Sequence, residues 1–116
     1  MDSPIARLWE GSTRAADADR YLEYLRRTGL ADYERATGNR GVLALRSVEG
    51  DRADFLLLSF WDSESAIRGF AGNPIDRARF YPEDDAFLVR RQETVRHLQL
   101  IHSAALQLRE RREISP

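Results

Sequence analysis

Arg7 and Trp9 alternate within the short apolar segment Ile5-Ala-Arg-Leu-Trp-Glu10. Successive side chains of a strand point to opposite faces, so a guanidinium and an indole two positions apart share one face. A covered strand face seldom carries a permanent charge without a partner. Two arrangements account for such a charge. The guanidinium can face a phenolate, carboxylate or enolate, with the indole as a stacking wall. Alternatively, Arg7 forms a buried ion pair with a carboxylate at the sheet edge or at a dimer seam, and Trp9 is core. His97 is the second candidate, on a strand face with Val95 and Gln99. An imidazole near its ordinary pKa suits removal of a substrate proton, and it equally suits a hydrogen bond across a sheet. His102 falls on the opposite face, so the two histidines are no metal pair, and no His/Asp/Glu cluster has metal-ligand spacing.

Aromatic side chains surround these candidates. Tyr21, Tyr24, Phe70, Phe80 and Tyr81 stand at helix or loop positions near a presumed cavity mouth, and Trp61 ends a strongly apolar strand. They are candidate substrate contacts, although aromatic residues at such spacing also build cores. The run Glu83-Asp-Asp85 reads as a solvated loop or a helix N-terminus.

Absences narrow the chemistry. The chain has no cysteine, which removes thiolate nucleophiles, disulfides and sulfur-ligated metals. All 18 basic side chains are arginine, so no lysine Schiff base or lysine general base exists. Ser59 and Ser63 lack a glycine elbow, and no glycine loop cradles a phosphate. The formal net charge is −1 and the arginines are interleaved with acids, so no basic stripe points to nucleic acid. No apolar run approaches the roughly 20 residues of a membrane span, and no basic segment followed by an apolar run suggests a signal peptide. A cytoplasmic protein without a membrane partner is expected.

The elements that must hold these residues follow from periodicity. Ile5–Glu10 reads as a first strand, ended by Gly11-Ser-Thr13, whose hydroxyls offer helix caps. Ala18, Leu22 and Leu25, with Tyr21 beside them, form an apolar stripe for a helix from about Arg14 to Arg27. Leu30–Ala36 adds a turn or two, with Leu30 and Tyr33 at helical spacing. Val42–Val48 and Phe55–Trp61 are strands joined by the turn Glu49-Gly-Asp51. A helix capped at Asp62/Ser63 buries Ala66, Ile67, Phe70 and Ala71 and stops at Gly72-Asn-Pro74. Ile75–Phe80 and Glu83–Leu88 read as short helical turns, and Thr94–Ile101 is the last strand.

The order strand–helix–strand–strand–helix–strand is the ferredoxin-like split arrangement, an α+β fold with an antiparallel sheet and helices on one face. Phe55-Leu-Leu-Leu-Ser-Phe-Trp61 is apolar on both faces, and a chain of 116 residues has few elements left to cover the second. A second copy packed sheet to sheet is the expected cover. Residues 1–102 form the domain, and 103–116 a charged tail that is a frayed helix, disordered, or an arm onto a partner.

Ile5-Ala-Arg-Leu-Trp-Glu-Gly11, Phe60-Trp-Asp-Ser63 ahead of Ala66-Ile-Arg-Gly-Phe-Ala-Gly72, Tyr81-Pro-Glu83 and Val95-Arg-His-Leu98 together resemble the antibiotic biosynthesis monooxygenase family. The resemblance spans about residues 4 to 102. It implies a dimeric α+β barrel with a small-molecule cavity in each subunit, between sheet and helices. Two chemistries come with it. Cofactor-free members oxidise polycyclic phenols or anthrones with dioxygen. Haem-degrading relatives hold haem through a histidine on or just after the second helix, helped by a tryptophan on that helix and an asparagine on the first strand. In this chain the tryptophan position falls near Phe70, the histidine position near Phe80, and the first strand has no asparagine. The resemblance thus points to a small cofactor-independent monooxygenase acting on an aromatic or polyketide-type molecule in a biosynthetic pathway. His97 or a tyrosine would remove a proton, Arg7 would hold the anion, and Trp9, Tyr21, Tyr24, Trp61, Phe70, Phe80 and Tyr81 would contact the substrate. A non-oxidative cyclase, isomerase or lyase using the same pocket, and a haem or small-ligand binder without turnover, stay open as alternatives.

Overall fold

The computed structural model describes residues 4–110. Along the chain run β1 (Ile5–Arg14), α1 (Ala18–Arg27), α2 (Gly29–Arg35), β2 (Asn39–Glu49) and β3 (Arg52–Trp61), then α3 (Glu64–Ala71), α4 (Asp84–Phe87), β4 (Leu88–Arg91) and β5 (Arg96–Gln99). The sheet order is β2-β3-β1-β4, with β5 also on β1 and every pairing antiparallel. β4 and β5 act as two halves of one fourth strand. The result is the expected ferredoxin-like antiparallel sheet with its helices on one face.

Several local signals act as their chemistry requires. Gly50 takes φ 58° at the first central position of the β2–β3 turn, as a type II′ hairpin demands. Ser63 caps α3 by accepting from the Ala66 amide at 3.1 Å, and Gly72 ends the helix at φ 80°.

Three expectations are corrected. β1 does not stop at Gly11; it pairs with β3 through Arg14, and the hydroxyls of Ser12 and Thr13 cap no helix. Ser12 instead donates to Asp54 at 2.6 Å across the β1–β3 pair, and Thr13 to its neighbour's carbonyl. Gly11 is there for space: a Cβ would lie 2.4 Å from the Trp9 ring, which folds back over it. The Ile75–Phe80 segment is not helical. Its backbone pairs with residues 93–95, through Ala78 N–H to Glu93 O at 2.9 Å and Val95 N–H to Asp76 O at 2.7 Å. That pairing takes residues 93–95 off β1, so the last strand is split rather than continuous over Thr94–Ile101, and its first half begins at Leu88. Beyond Gln99 the described chain is irregular and exposed through residue 110, and the expected tail over 111–116 lies outside the described residues.

The face question is answered by burial. Ala53, Phe55, Leu57, Ser59 and Trp61 of β3 are buried on the helix side; Leu56, Leu58 and Phe60 lie half-buried on the other. The register carries this parity to β1, where Arg7 opposes Ser59 and Trp9 opposes Leu57. Arg7, Trp9 and His97 therefore all project between the sheet and the helices.

Candidate functional site

Between sheet and helices lies a cavity with walls from β1 (Arg7, Trp9), α1 (Tyr21), α2 (Tyr33), α3 (Phe70) and the 72–84 segment (Tyr81). Its enclosed volume is about 30 Å³, enough for a water and too small for an aromatic ring. Counting its open mouth, the free space reaches about 430 Å³. An aromatic ring needs more room than the enclosed part provides.

Arg7 is the strongest polar feature of this wall. It is 1% exposed, and among the described residues no carboxylate pairs with it. Its terminal nitrogens donate to the carbonyls of Ile75 at 2.6 Å and Arg77 at 3.0 Å, tying the 72–83 segment to the sheet. A third contact, 3.1 Å, reaches His97 Nε2. Arginine can only donate, so Nε2 accepts and the imidazole proton sits on Nδ1. Among the described residues Arg7 Nε makes no hydrogen bond, and the Tyr33 phenol is the polar group that bears most on the guanidinium. Burial pushes the guanidinium pKa down, opposed by Tyr33 and Asp76, yet a guanidinium stays charged. A buried cation with N–H donors to spare favours an anionic oxygen.

Aromatic rings frame that cation. Phe70 lies 5.9 Å from the Arg7 guanidinium and stacks on Tyr33, centroids 4.7 Å apart and planes 22° apart. Burial raises the Tyr33 phenol above its ordinary pKa, and Arg7 opposes that rise. At the mouth, Asp32 accepts from the Tyr81 hydroxyl at 2.5 Å and pairs with Arg79 at 3.3 Å and with Arg35. The Tyr81 bond, then Arg79 and Arg35, hold the Asp32 carboxyl below the usual range against its partial burial. Arg79 also donates to the Phe70 carbonyl at 3.2 Å and lies over the rings of Phe70 and Tyr81.

Of the residues singled out from sequence, the cavity brings together Arg7, Trp9, Tyr21, Phe70 and Tyr81. Four others stand elsewhere. Tyr24 is buried behind the wall, its hydroxyl accepting the Glu83 amide at 2.8 Å. Trp61 is fully buried, its Nε1 donating to Ser59 Oγ at 2.9 Å, and it supports Tyr33 and Phe70 from behind. Phe80 turns to the outside of Trp9, ring centroids 6.4 Å apart. His97 does not line the cavity; burial and then Arg7 push its pKa down, and the nitrogen facing inward already accepts from Arg7. Tyr33, Arg79 and Asp84 line the cavity without having been singled out. Tyr33 registered in sequence only as a helical neighbour of Leu30, and Asp84 as one acid of a solvated run.

The described residues do not fit a haem. No histidine lines the cavity, the imidazole beside it is engaged by a cation, and phenylalanines occupy the positions the resemblance assigns to ligand and helper. Among the described residues no group of three or more His, Cys, Asp or Glu could hold a metal ion. No helix is long and apolar enough to cross a membrane.

No family model matches the chain, and no curated protein matches it. Solved structures do. A Bacillus cereus protein named as an antibiotic biosynthesis monooxygenase superposes with a TM-score of 0.61 at 15% identity, over 90% of this chain and 99% of that one. SnoaB, a cofactor-independent oxygenase from Streptomyces nogalater, gives 0.57 at 18% identity, over 90% and 97%. The haem-degrading protein Rv3592 from Mycobacterium tuberculosis gives 0.57 at 17% identity, over 90% and 99%. Identities this low speak for architecture alone, and the architecture is shared over 90% of this chain: it has the fold of the antibiotic biosynthesis monooxygenases.

Proposed function

We propose that this chain is a small cofactor-independent monooxygenase that binds a planar aromatic or polyketide-type molecule in the Arg7 cavity as its anion. The observation that carries this reading is the buried Arg7 guanidinium on the wall of an aromatic-lined cavity, with no carboxylate partner and Nε unbonded among the described residues. Such a cation stabilises a phenolate or enolate where water is excluded. The electron-rich anion gives an electron to dioxygen; the radicals combine, one oxygen atom becomes a carbonyl on the substrate carbon and the other leaves as water. Trp9, Phe70 and Tyr33 supply flat surfaces for the rings. The test is oxygen uptake with anthrone and appearance of anthraquinone. Uptake no faster than anthrone's spontaneous oxidation sinks the oxygenase reading. Product formation from an anthrone-type substrate under nitrogen favours a cyclase, isomerase or lyase using the same electrostatics.

The reading includes a cytoplasmic homodimer in a biosynthetic pathway. Leu8, Leu45, Leu56, Leu58, Phe60 and Leu98 share the sheet face away from the helices, and Leu45 is 50% exposed. Glu10, Arg90 and Arg96 edge the same face with both signs of charge. A second copy related by a two-fold axis would cover apolar with apolar and could set acid against arginine. Leu58 faces outward on β3, the strand between β1 and β2. Leu58→Arg is therefore expected to turn a dimer into a monomer in sedimentation while leaving the melting profile cooperative. A monomeric parent protein, or a variant still dimeric, removes this part.

A further inference from the structure

The cavity has a second ionisable group besides its arginines. Asp84 is 4% exposed and lines it. Its Oδ2 accepts the Tyr81 amide at 2.7 Å, which fixes the carboxyl plane. Its Oδ1 takes no hydrogen bond among the described residues. The neighbouring Tyr21, 1% exposed and on the same wall, likewise has no partner for its hydroxyl among them. Asp84 Oδ1 and the Tyr21 hydroxyl are thus polar groups of one cavity wall that are free, among the described residues, to pair with a ligand. Tyr21 packs on Phe55 at 4.9 Å, and Phe55 opposes Gly11, four residues along β1 from Arg7. Arg7 and Asp84 face one cavity from two elements, β1 and α4, with Tyr21 on the wall they share.

We propose that Asp84 is the general base of this cavity. It takes a proton from an acidic C–H or O–H of the bound aromatic molecule while Arg7 holds the oxygen on which the charge settles. The C–H or O–H bond breaks heterolytically: the proton goes to Asp84 Oδ1, the electron pair stays on the substrate, and carboxylate plus neutral substrate become carboxylic acid plus substrate anion. No oxidant takes part in this step. The assignment rests on the cavity's being the substrate site, and it gives His97 a positioning role on Arg7.

The surroundings suit the task. Burial raises the Asp84 pKa and Asp85 adds to the rise; the Tyr81 amide and Arg91 oppose it, and Tyr21 faces it uncharged. A base whose pKa is moved toward the working pH transfers protons more effectively than an ordinary carboxylate. The same shift has a stability signature. Because the folded pKa exceeds the unfolded one, this carboxyl favours the fold fully only below its unfolded pKa, about 3.9. That contribution disappears as pH rises through the folded value. Asp84→Asn keeps an acceptor for the Tyr81 amide and should melt higher than the parent at neutral pH, with the gap closing in acid.

The test separates proton transfer from oxidation. Under nitrogen in deuterated buffer, the protein should accelerate exchange of the anthrone methylene protons, read by NMR. Asp84→Asn should slow this exchange about 100-fold, with anthrone still quenching tryptophan fluorescence at unchanged affinity. The parent rate should also follow one ionisation above the ordinary Asp range, absent from the variant. Undiminished exchange in Asp84→Asn, or no catalysed exchange in the parent, overturns the assignment. Catalysed exchange lost in Asp84→Asn, but without oxygen uptake in the parent, sustains the base and sinks the oxygenase reading. Parent-like oxygen uptake by Asp84→Asn does the reverse.

Discussion

Replacing Arg7 with methionine is expected to lower stability by about 3 kcal/mol, because it strands the carbonyls of Ile75 and Arg77 and unpairs His97 Nε2 in a partly buried setting. At about 4 °C per kcal/mol for a domain of this size, the melting temperature falls by roughly 10 °C. The loss enters through the 72–83 segment, which Arg7 ties to the sheet, and so through the cavity wall. Arg7→Lys keeps a charge and a long stem but not the planar fork that serves two carbonyls at once. It should fold with an intermediate melting temperature and bind naphthoate about 10- to 100-fold more weakly than the parent, the cost of losing a charge-assisted contact. One further readout is specific to the geometry. With the cation gone in Arg7→Met, the His97 imidazole should titrate higher, since Arg7 is a cause of its lowered pKa. Parent-like melting and parent-like naphthoate binding in Arg7→Lys would mean that Arg7 is neither clamp nor anion site.

The parts of the fold and site that were legible in sequence are those set by neighbours along the chain. The alternation of Arg7 and Trp9, the double-faced strand ending at Trp61, the Ser63 cap and the Gly50 and Gly72 signals each depend on a few adjacent residues, and each stands where it was read. What escaped depends on contacts between distant segments. Gly11, Ser12 and Thr13 look like the end of a strand; only the indole lying over Gly11 and the bond from Ser12 to Asp54 make them its interior. The fourth strand breaks because residues 76–78 pair with 93–95, a pairing with no local mark. Asp84 looks like one solvated acid among three, and it is buried because α4 turns it inward beneath Tyr81. Its one sequence signal is the Tyr81-Pro-Glu-Asp84 turn, where an aspartate side chain often closes back on an amide. The setting of His97 likewise depends on a distant segment. Its residue type suits a base, but strand register sets it against Arg7, and the cation takes the nitrogen a base would use.

Trp61 separates a wall from a buttress, and the difference can be measured. Trp61→Ala removes a fully buried indole and should cost about 3–5 kcal/mol, a drop of roughly 12–20 °C in melting temperature. The rings behind which it stands, Tyr33 at 6.1 Å and Phe70 at 5.2 Å, form part of the cavity wall, so naphthoate affinity should fall with stability. Free indole should refill the vacancy, raising the melting temperature of the variant with indole concentration and restoring its naphthoate affinity, with no such effect on the parent. Trp61→Phe keeps most of the volume and loses the bond to Ser59, about 1 kcal/mol, and as a buttress it should bind naphthoate like the parent. Were Trp61 a direct substrate contact, Trp61→Phe would lose affinity while staying folded, and indole would compete with naphthoate in the alanine variant instead of restoring it. The geometry favours the first outcome, because no surface of Trp61 reaches the cavity and the stack of Tyr33 on Phe70 stands between them.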